Sequence, residues 1–235
     1  MKKGIKSRLI AMNFLQYAVW GAYLTSMGSY LGNAGLGANI GLFYAMQGIV
    51  SIFMPAIIGI IADKFLPAQK VLSICHGLAG AFMLAAGFYG MRAAGHVSFP
   101  TLFTLYSFSV AFYMPTIALS NSVAYSVLEN SGYDTVKDFP PIRVFGTVGF
   151  ICAMLFVNFV SIKGIQFQHS YNQFITSGVL GVVLCIYALT LPDCPCKKNA
   201  GSTSLVDIFG LRAFTLFKKK DMAVFFIFSM LLGVS

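Results

Sequence analysis

The chain alternates between long apolar runs and short polar segments. Each of the first six runs holds roughly twenty residues with few charges, which is long enough to cross a hydrocarbon core of about 30 Å as an α-helix. The six predicted spans are Leu9–Leu31, Ile40–Ala62, Val71–Arg92, Phe99–Asn121, Ile142–Ile162 and Tyr171–Leu191. A seventh run extends from Met222 to Ser235. No run alternates with period two, so the pattern predicts an all-α integral membrane protein.

The amino-acid composition supports this prediction. Of the 235 residues, 57% are hydrophobic and 10% are charged, whereas charged residues make up about a quarter of a soluble domain. So few charges cannot cover the surface of a water-soluble fold of this size. The composition therefore places the chain in the lipid bilayer and argues against a soluble enzyme or binding domain.

The basic residues predict an orientation in the membrane. The segments before span one, between spans two and three, around the start of span five, and after span six carry 14 of the 16 Lys and Arg residues. Arg92 and Lys163 lie on the opposite side. By the positive-inside rule, the N-terminus is expected to be cytoplasmic. The net charge of +9 is then explained by membrane topology, and no nucleic-acid partner is needed.

The order of the segments predicts three regions. Residues 1–192 are expected to form an N-terminal six-helix bundle, residues 193–221 a cytoplasmic linker, and residues 222–235 the start of a seventh helix. Within the linker, the stretch from Leu205 to Phe217 is either a short helix on the membrane surface or a partly ordered segment. This layout is typical of a transporter half followed by its second half. Because the last 14 residues reach only about 21 Å as a helix, we expect a truncated seventh helix and a missing C-terminal half.

The connection between spans two and three contains the sequence GIIADK, from Gly59 to Lys64. It resembles the signature loop of the major facilitator superfamily, G-x-x-x-D-[RK]-x-G-[RK]-[RK]. The match covers the first half only, because Leu66 to Gln69 replace the later glycine and basic positions. The resemblance implies a conformational-switch loop built from Gly59, Asp63 and Lys64. Gly59 would allow a neighbouring helix to approach closely, and Asp63 would cap the following helix or pair with a basic residue.

Four longer stretches extend the resemblance over most of the chain. They are FLQYAVWGAYLTSMGSYL, FMPAIIGIIADKFL, DFPPIRVFGTVGF and FFIFSMLLG. Together they resemble the bacterial nucleoside:proton symporters of the major facilitator superfamily. The resemblance implies the N-terminal half of a secondary transporter in the bacterial inner membrane, with a nucleoside as substrate, a proton as coupling ion and no other cofactor.

Two other functions stay open. Related permeases carry other polar solutes such as sugars, and this half alone could serve as a non-transporting membrane scaffold subunit. A scaffold would not need a polar face inside a span, which separates the two classes. No enzyme activity, catalytic residue or metal ligand is predicted, since the sequence contains neither H-E-x-x-H nor G-x-S-x-G.

The candidate substrate site lies on span five, where Arg143, Thr147 and Phe150 are spaced at i, i+4 and i+7 and share one helix face. They offer a cation with five donors, a hydroxyl and an aromatic ring, which suits the hydroxyls and the base of a nucleoside. The alternative is an arginine that reaches the lipid headgroups as an interfacial anchor. A cation near a helix N-terminus is disfavoured by about 0.3–1 kcal/mol, which argues against a pure anchor. The family resemblance implies that all three residues contact nucleoside.

Other polar residues within the spans are weaker candidates. Gln16 and Trp20 are one turn apart in span one, and Asn121 ends span four. All three are possible cavity-lining residues, with helix packing as the ordinary alternative. His76 in span three is a candidate proton relay or a helix-packing residue. All seven acidic residues lie in or beside the predicted cytoplasmic segments, so we expect the proton-coupling acid in the missing C-terminal half.

Overall fold

The apolar runs form helices in the computed structural model, which describes residues 4–93, 96–162, 164–194 and 220–234. Its two compact units are Met1–Cys196 and Lys197–Ser235. The helices of the first unit are α1 (Ile5–Gly21), α2 (Met27–Asn33), α3 (Ile40–Lys64), α4 (Ala68–Ala93), α5 (Phe99–Asn130), α6 (Thr135–Phe159) and α7 (Asn172–Ala188). The described part of the second unit is α8 (Lys220–Val234). Two 3₁₀ turns (Gly37–Asn39, Phe167–His169) and an antiparallel hairpin of β1 (Ser161–Ile162) and β2 (Ile165–Gln166) complete the first unit.

Among the described residues, four segments are long and apolar enough to cross a membrane. They are Gly37–Lys64, Ala68–Ala93, Phe99–Asn130 and Thr135–Phe159, and they confirm the predicted spans two to five. α7 is apolar but has only 17 residues, and α8 has 15 and begins at Lys220 rather than Met222. The chain is a multi-pass membrane protein, while the count of six helices plus a seventh stays a prediction. The predicted surface helix between Leu205 and Phe217 lies outside the described residues.

The prediction of one continuous helix over Leu9–Leu31 is wrong. A break of five residues separates α1 from α2. Side chains of neighbouring helices bond to carbonyl groups next to this break. The Tyr44 hydroxyl donates to the Leu24 carbonyl and the Ser177 hydroxyl to the Val19 carbonyl, each at 2.8 Å. These bonds satisfy carbonyl groups that an interrupted helix would otherwise leave unpaired in an apolar setting.

The helix of span five begins at Thr135, well before the predicted Ile142. The Asp134 carboxylate caps it by accepting hydrogen bonds at 2.9 and 3.3 Å from two backbone N–H groups of the first turn, a favoured role for aspartate. The two prolines of the DFPPIR sequence therefore lie inside α6, and Arg143 is its ninth residue. The helix-dipole argument against an anchoring arginine therefore fails, because that effect is confined to the first turn.

Glycines bring α1 and α6 close together. A Cβ built at Gly149 would lie 2.8 and 2.9 Å from the carbonyl carbon and Cα of Phe14. One built at Gly146 would lie 2.6 Å from the ring of Tyr17. Small residues allow helix backbones to approach closely where no hydrophobic effect drives their association. The α1–α6 crossing thus places one edge of the polar face of α6 against α1.

Polar bonds join helix ends at one end of the bundle. The Lys6 ammonium donates to the Asp138 carboxylate at 2.7 Å, which connects the starts of α1 and α6. This hydrogen bond, and then the charge of Asp138, raises the pKa of Lys6 above 10.5. The Gln69 amide donates to Asp193 at 2.7 Å and connects the start of α4 with the segment after α7. All four segments are ones that the charge pattern assigns to the same side of the membrane.

Candidate functional site

The three predicted substrate residues lie on one continuous helix, α6, more than two turns from its first residue. Arg143 and Phe150 are half-buried, whereas Thr147 is exposed. The face that they share therefore borders the bundle on one side and open space on the other. A rigid helix holds the three side chains at fixed separations, which a site for a small solute requires.

The guanidinium of Arg143 lies over the ring of Tyr17 from α1, 3.9 Å from the ring centroid. Such a cation–π contact is worth about 0.5–1 kcal/mol at exposed sites and more when desolvated. Gly146 leaves room for it, since a Cβ there would lie 3.0 Å from a terminal nitrogen of Arg143. A guanidinium carries five N–H donors, so a ligand could bind those that are not directed at Tyr17.

Trp20, in the last turn of α1, contacts the third residue of this face. Its indole meets the Phe150 ring edge-on, with centroids 6.1 Å apart and planes at 84°. The indole Nε1–H donates to Gln47 Oε1 of α3 at 3.0 Å, and Gln47 Nε2 donates to the Tyr106 hydroxyl of α5 at 2.8 Å. The Trp20 ring also lies 6.4 Å from the Tyr113 ring. Trp20 thus connects α1 with α3, α5 and α6.

A second polar cluster surrounds Gln16, which is fully buried together with His76 and Thr116. The Gln16 amide donates to Thr116 Oγ1 at 2.7 Å, and its side-chain oxygen lies 2.7 Å from His76 Nε2. With this amide orientation, Nε2 carries the proton of a neutral imidazole. The Tyr113 hydroxyl donates to the Gln16 backbone carbonyl at 2.7 Å. The cluster joins α1, α4 and α5, and a solute could reach Gln16 only if these bonds were broken. Its cavity-lining role stays a prediction.

The other predicted residues have different surroundings. Asn121 is half-buried in α5, and its amide oxygen has no hydrogen-bond partner among the described residues. Within the described chain, nothing lies within 4 Å of a Cβ built at Gly59, so the close helix approach expected there is not found. Asp63 and Lys64 are exposed and belong to the last turn of α3. Asp63 therefore ends one helix instead of capping the next.

Two residues beside the site, Tyr17 and Gln47, were not predicted. Tyr17, Trp20 and Gly21 are spaced at i, i+3 and i+4, which puts them on one face of α1. An aromatic pair next to a glycine was the signal that this face packs against another helix. No comparable signal exists for Gln47, because its bond to Trp20 depends on which helices become neighbours.

An apolar helical bundle in which one helix carries a polar face beside aromatic rings is typical of half of a membrane transporter. The profile of a family described as nucleoside H+ symporter matches residues 3–235. The chain therefore belongs to the nucleoside H+ symporter family, which is a family of transporters rather than of enzymes.

Known members of the family resemble the chain in sequence and in fold. It is 45% identical over 233 residues to xanthosine permease and 43% identical over 232 residues to nucleoside permease NupG, both from Escherichia coli. Its structure is similar to the crystal structures of nucleoside transporter NupG and of a single-residue NupG mutant, with TM-scores of 0.76 and 0.81 at 41% identity. Each comparison covers 97% of this chain, 52% of each permease sequence, and 54% and 55% of the two solved chains. The chain thus spans about half the length of the curated relatives it matches.

Proposed function

We propose that this chain forms the N-terminal half of a transporter that takes up nucleosides by proton symport across the bacterial inner membrane. The observation that carries the proposal is the α6 face on which Arg143, held over Tyr17, shares a helix face with exposed Thr147 and with Phe150. Membership of the nucleoside H+ symporter family supports both the solute and the coupling ion. The names of the relatives, which are permeases for xanthosine and nucleosides, support the same solute class.

The three side chains match the parts of a nucleoside. The N–H groups of the Arg143 guanidinium would donate to ribose or base oxygens, and the Thr147 hydroxyl would donate or accept a further hydrogen bond. The Phe150 ring would stack on the base, which is a contact that a sugar without a base cannot make. This aromatic residue is therefore the reason to prefer a nucleoside over the sugar-permease alternative. The polar face as a whole argues against a scaffold subunit, which would have no use for it.

Proton coupling is assigned to a part of the transporter beyond this chain. In the described ranges, acidic residues lie in loops or in the first or last turns of helices, whereas intramembrane proton carriers are usually carboxylates within spans. Relatives about twice as long support a second half that supplies this acid and the opposite wall of the cavity. The two halves would then rock against each other around the site. In this proposal, residues 1–192 are the N-terminal bundle, 193–221 a cytoplasmic linker and 222–235 the start of the seventh helix, with the N-terminus in the cytoplasm.

Uptake by the whole transporter in liposomes tests the proposal. With an inward proton gradient, labelled uridine should accumulate, and a protonophore should abolish the accumulation. Arg143→Ala should raise the KM for uridine at least about tenfold, since a hydrogen bond to a charged group contributes about 1.5–3 kcal/mol. Arg143→Lys should rescue poorly, because an ammonium cannot reproduce the planar guanidinium. Arg92→Ala, which alters an exposed arginine of α4, is the matched control and should leave the KM unchanged. Equal KM values for all variants would refute the site, and absence of proton-driven uptake would refute the function.

A further inference from the structure

Two consecutive residues of α1 fix the position of Phe150. Trp20 meets its ring edge-on, at 84° between the planes. Gly21 packs against its main chain, since a Cβ built on that glycine would lie 2.8 Å from the carbonyl carbon and from the Cα of Phe150. The last turn of α1 therefore constrains both the backbone and the ring of this residue.

Trp20 is itself held by a buried hydrogen bond. Its Nε1–H donates to Gln47, which is 8% exposed, and the amide of Gln47 donates in turn to the fully buried hydroxyl of Tyr106. Rotation of the indole would leave the Gln47 oxygen without its donor in an apolar surrounding, which is costly. The chain of contacts from Tyr106 through Gln47 and Trp20 to Phe150 thus has one preferred arrangement.

We propose that Trp20 is a positioning residue that sets the orientation of the Phe150 ring and thereby the preference between purine and pyrimidine nucleosides. The inference rests on the proposed function, because it concerns the same face of α6. A base stacks well only when its plane matches that of the aromatic ring beneath it. A purine has two fused rings and overlaps a larger area than a pyrimidine, so a tilt of Phe150 weakens purine binding more.

The test compares inosine with uridine as substrates of the whole transporter. Trp20→Phe keeps an aromatic ring but removes the N–H donor, and Gln47→Leu removes the acceptor. Each should raise the KM for inosine about threefold to tenfold, which is the effect expected when the Phe150 ring and the base lose their stacked orientation. The KM for uridine should rise less, and Vmax should be unchanged. The double variant should be no worse than the more affected single variant, because both changes break the same bond.

A control variant separates positioning from general damage to the bundle. Phe82 stacks on Phe108 and Phe112 with centroids 5.2 and 6.3 Å apart, so Phe82→Leu also removes aromatic contacts but does so away from α6. It should leave the ratio of the two KM values unchanged. If Trp20→Phe and Gln47→Leu lower only Vmax and leave this ratio as in the wild type, the positioning role is refuted.

A measurement without substrate distinguishes failure of this inference from failure of the proposed function. Trp20 is the only tryptophan of the 235 residues, so the emission of this chain in membranes reports on its indole. Loss of the hydrogen bond in Gln47→Leu should move the emission to shorter wavelength. An unchanged emission would overturn the inference even if nucleosides are transported. If the emission of this chain shifts but the whole transporter takes up no nucleoside, the proposed function is refuted and, with it, the assigned substrate preference.

Discussion

The substitution Gly149→Ala tests the packing that supports the site. The added Cβ would lie 2.8 and 2.9 Å from the carbonyl carbon and Cα of Phe14, whereas ordinary contacts lie at 3.4–4 Å. Both atoms belong to the backbone of α1, so no side-chain rotation can relieve the overlap. α1 and α6 must therefore move apart by at least about half an ångström, which weakens packing along the whole crossing.

The expected cost follows from two opposing terms. Overpacking of a close contact destabilises by about 1–3 kcal/mol. Replacing a helical glycine with alanine contributes up to about 1 kcal/mol in the opposite direction. We therefore expect Gly149→Ala to lower the free energy of unfolding by roughly 1–2 kcal/mol. Gly48→Ala is the matched control, because this helical glycine of α3 has nothing within 4 Å of its built Cβ in the described chain.

Unfolding of the purified chain in detergent, followed by circular dichroism, measures both variants. Gly48→Ala should be as stable as the wild type or slightly more stable, since the helix-propensity gain meets no opposing overlap. Gly149→Ala should unfold at a clearly lower temperature. If the two variants have equal stability, the close approach of α1 and α6 is not what holds the face of α6 in place.

Three further predictions concern other parts of the bundle. Gln16→Leu should lower the free energy of unfolding by about 1–3 kcal/mol, because it leaves the buried Nε2 of His76 without its partner and removes one hydrogen bond from Thr116, and unchanged stability would contradict the cluster. A cysteine at Ala38 should react with an external thiol reagent and one at Glu129 should not; the reverse result would invert the topology. Asp138→Asn should return the pKa of Lys6 toward 10.5, as a pH titration by NMR would show. Because this pKa is raised, the stabilisation by the ion pair is complete below the unfolded-state pKa and is lost as the pH rises through the folded-state value. Identical titration curves would contradict the pairing.

Much of the fold follows from chain length and apolarity. Spans two to five could be predicted because the bilayer thickness fixes how many apolar residues a helix needs. The break in span one could not be predicted, since the residues between α1 and α2 include no proline and the bonds beside it come from Tyr44 and Ser177 on distant helices. At α6, the uninterrupted apolar run begins at Ile142, whereas the helix begins earlier, at Thr135, where Asp134 caps it.

At the candidate site, too, the features of one helix could be predicted from the sequence, whereas the contacts between helices could not. The common face of Arg143, Thr147 and Phe150 is a consequence of helical periodicity, so the sequence was sufficient to predict it. The residues that orient this face, Tyr17 and Trp20, matter only because α1 packs beside α6. Tertiary packing decides which helix faces meet, and the spacing of residues along one helix does not show it.

Protection of a single cysteine on α6 tests directly whether this face binds nucleoside. Thr147 is exposed on the face, so Thr147→Cys in a whole transporter without its other cysteines should react with a small maleimide. Uridine should slow this reaction in a concentration-dependent way, whereas a sugar of similar size should not. A matched cysteine at Val148, which is 40% exposed on another side of the helix, should react at a rate independent of uridine. Equal reaction of the Thr147→Cys thiol with and without saturating uridine would contradict a nucleoside site on α6.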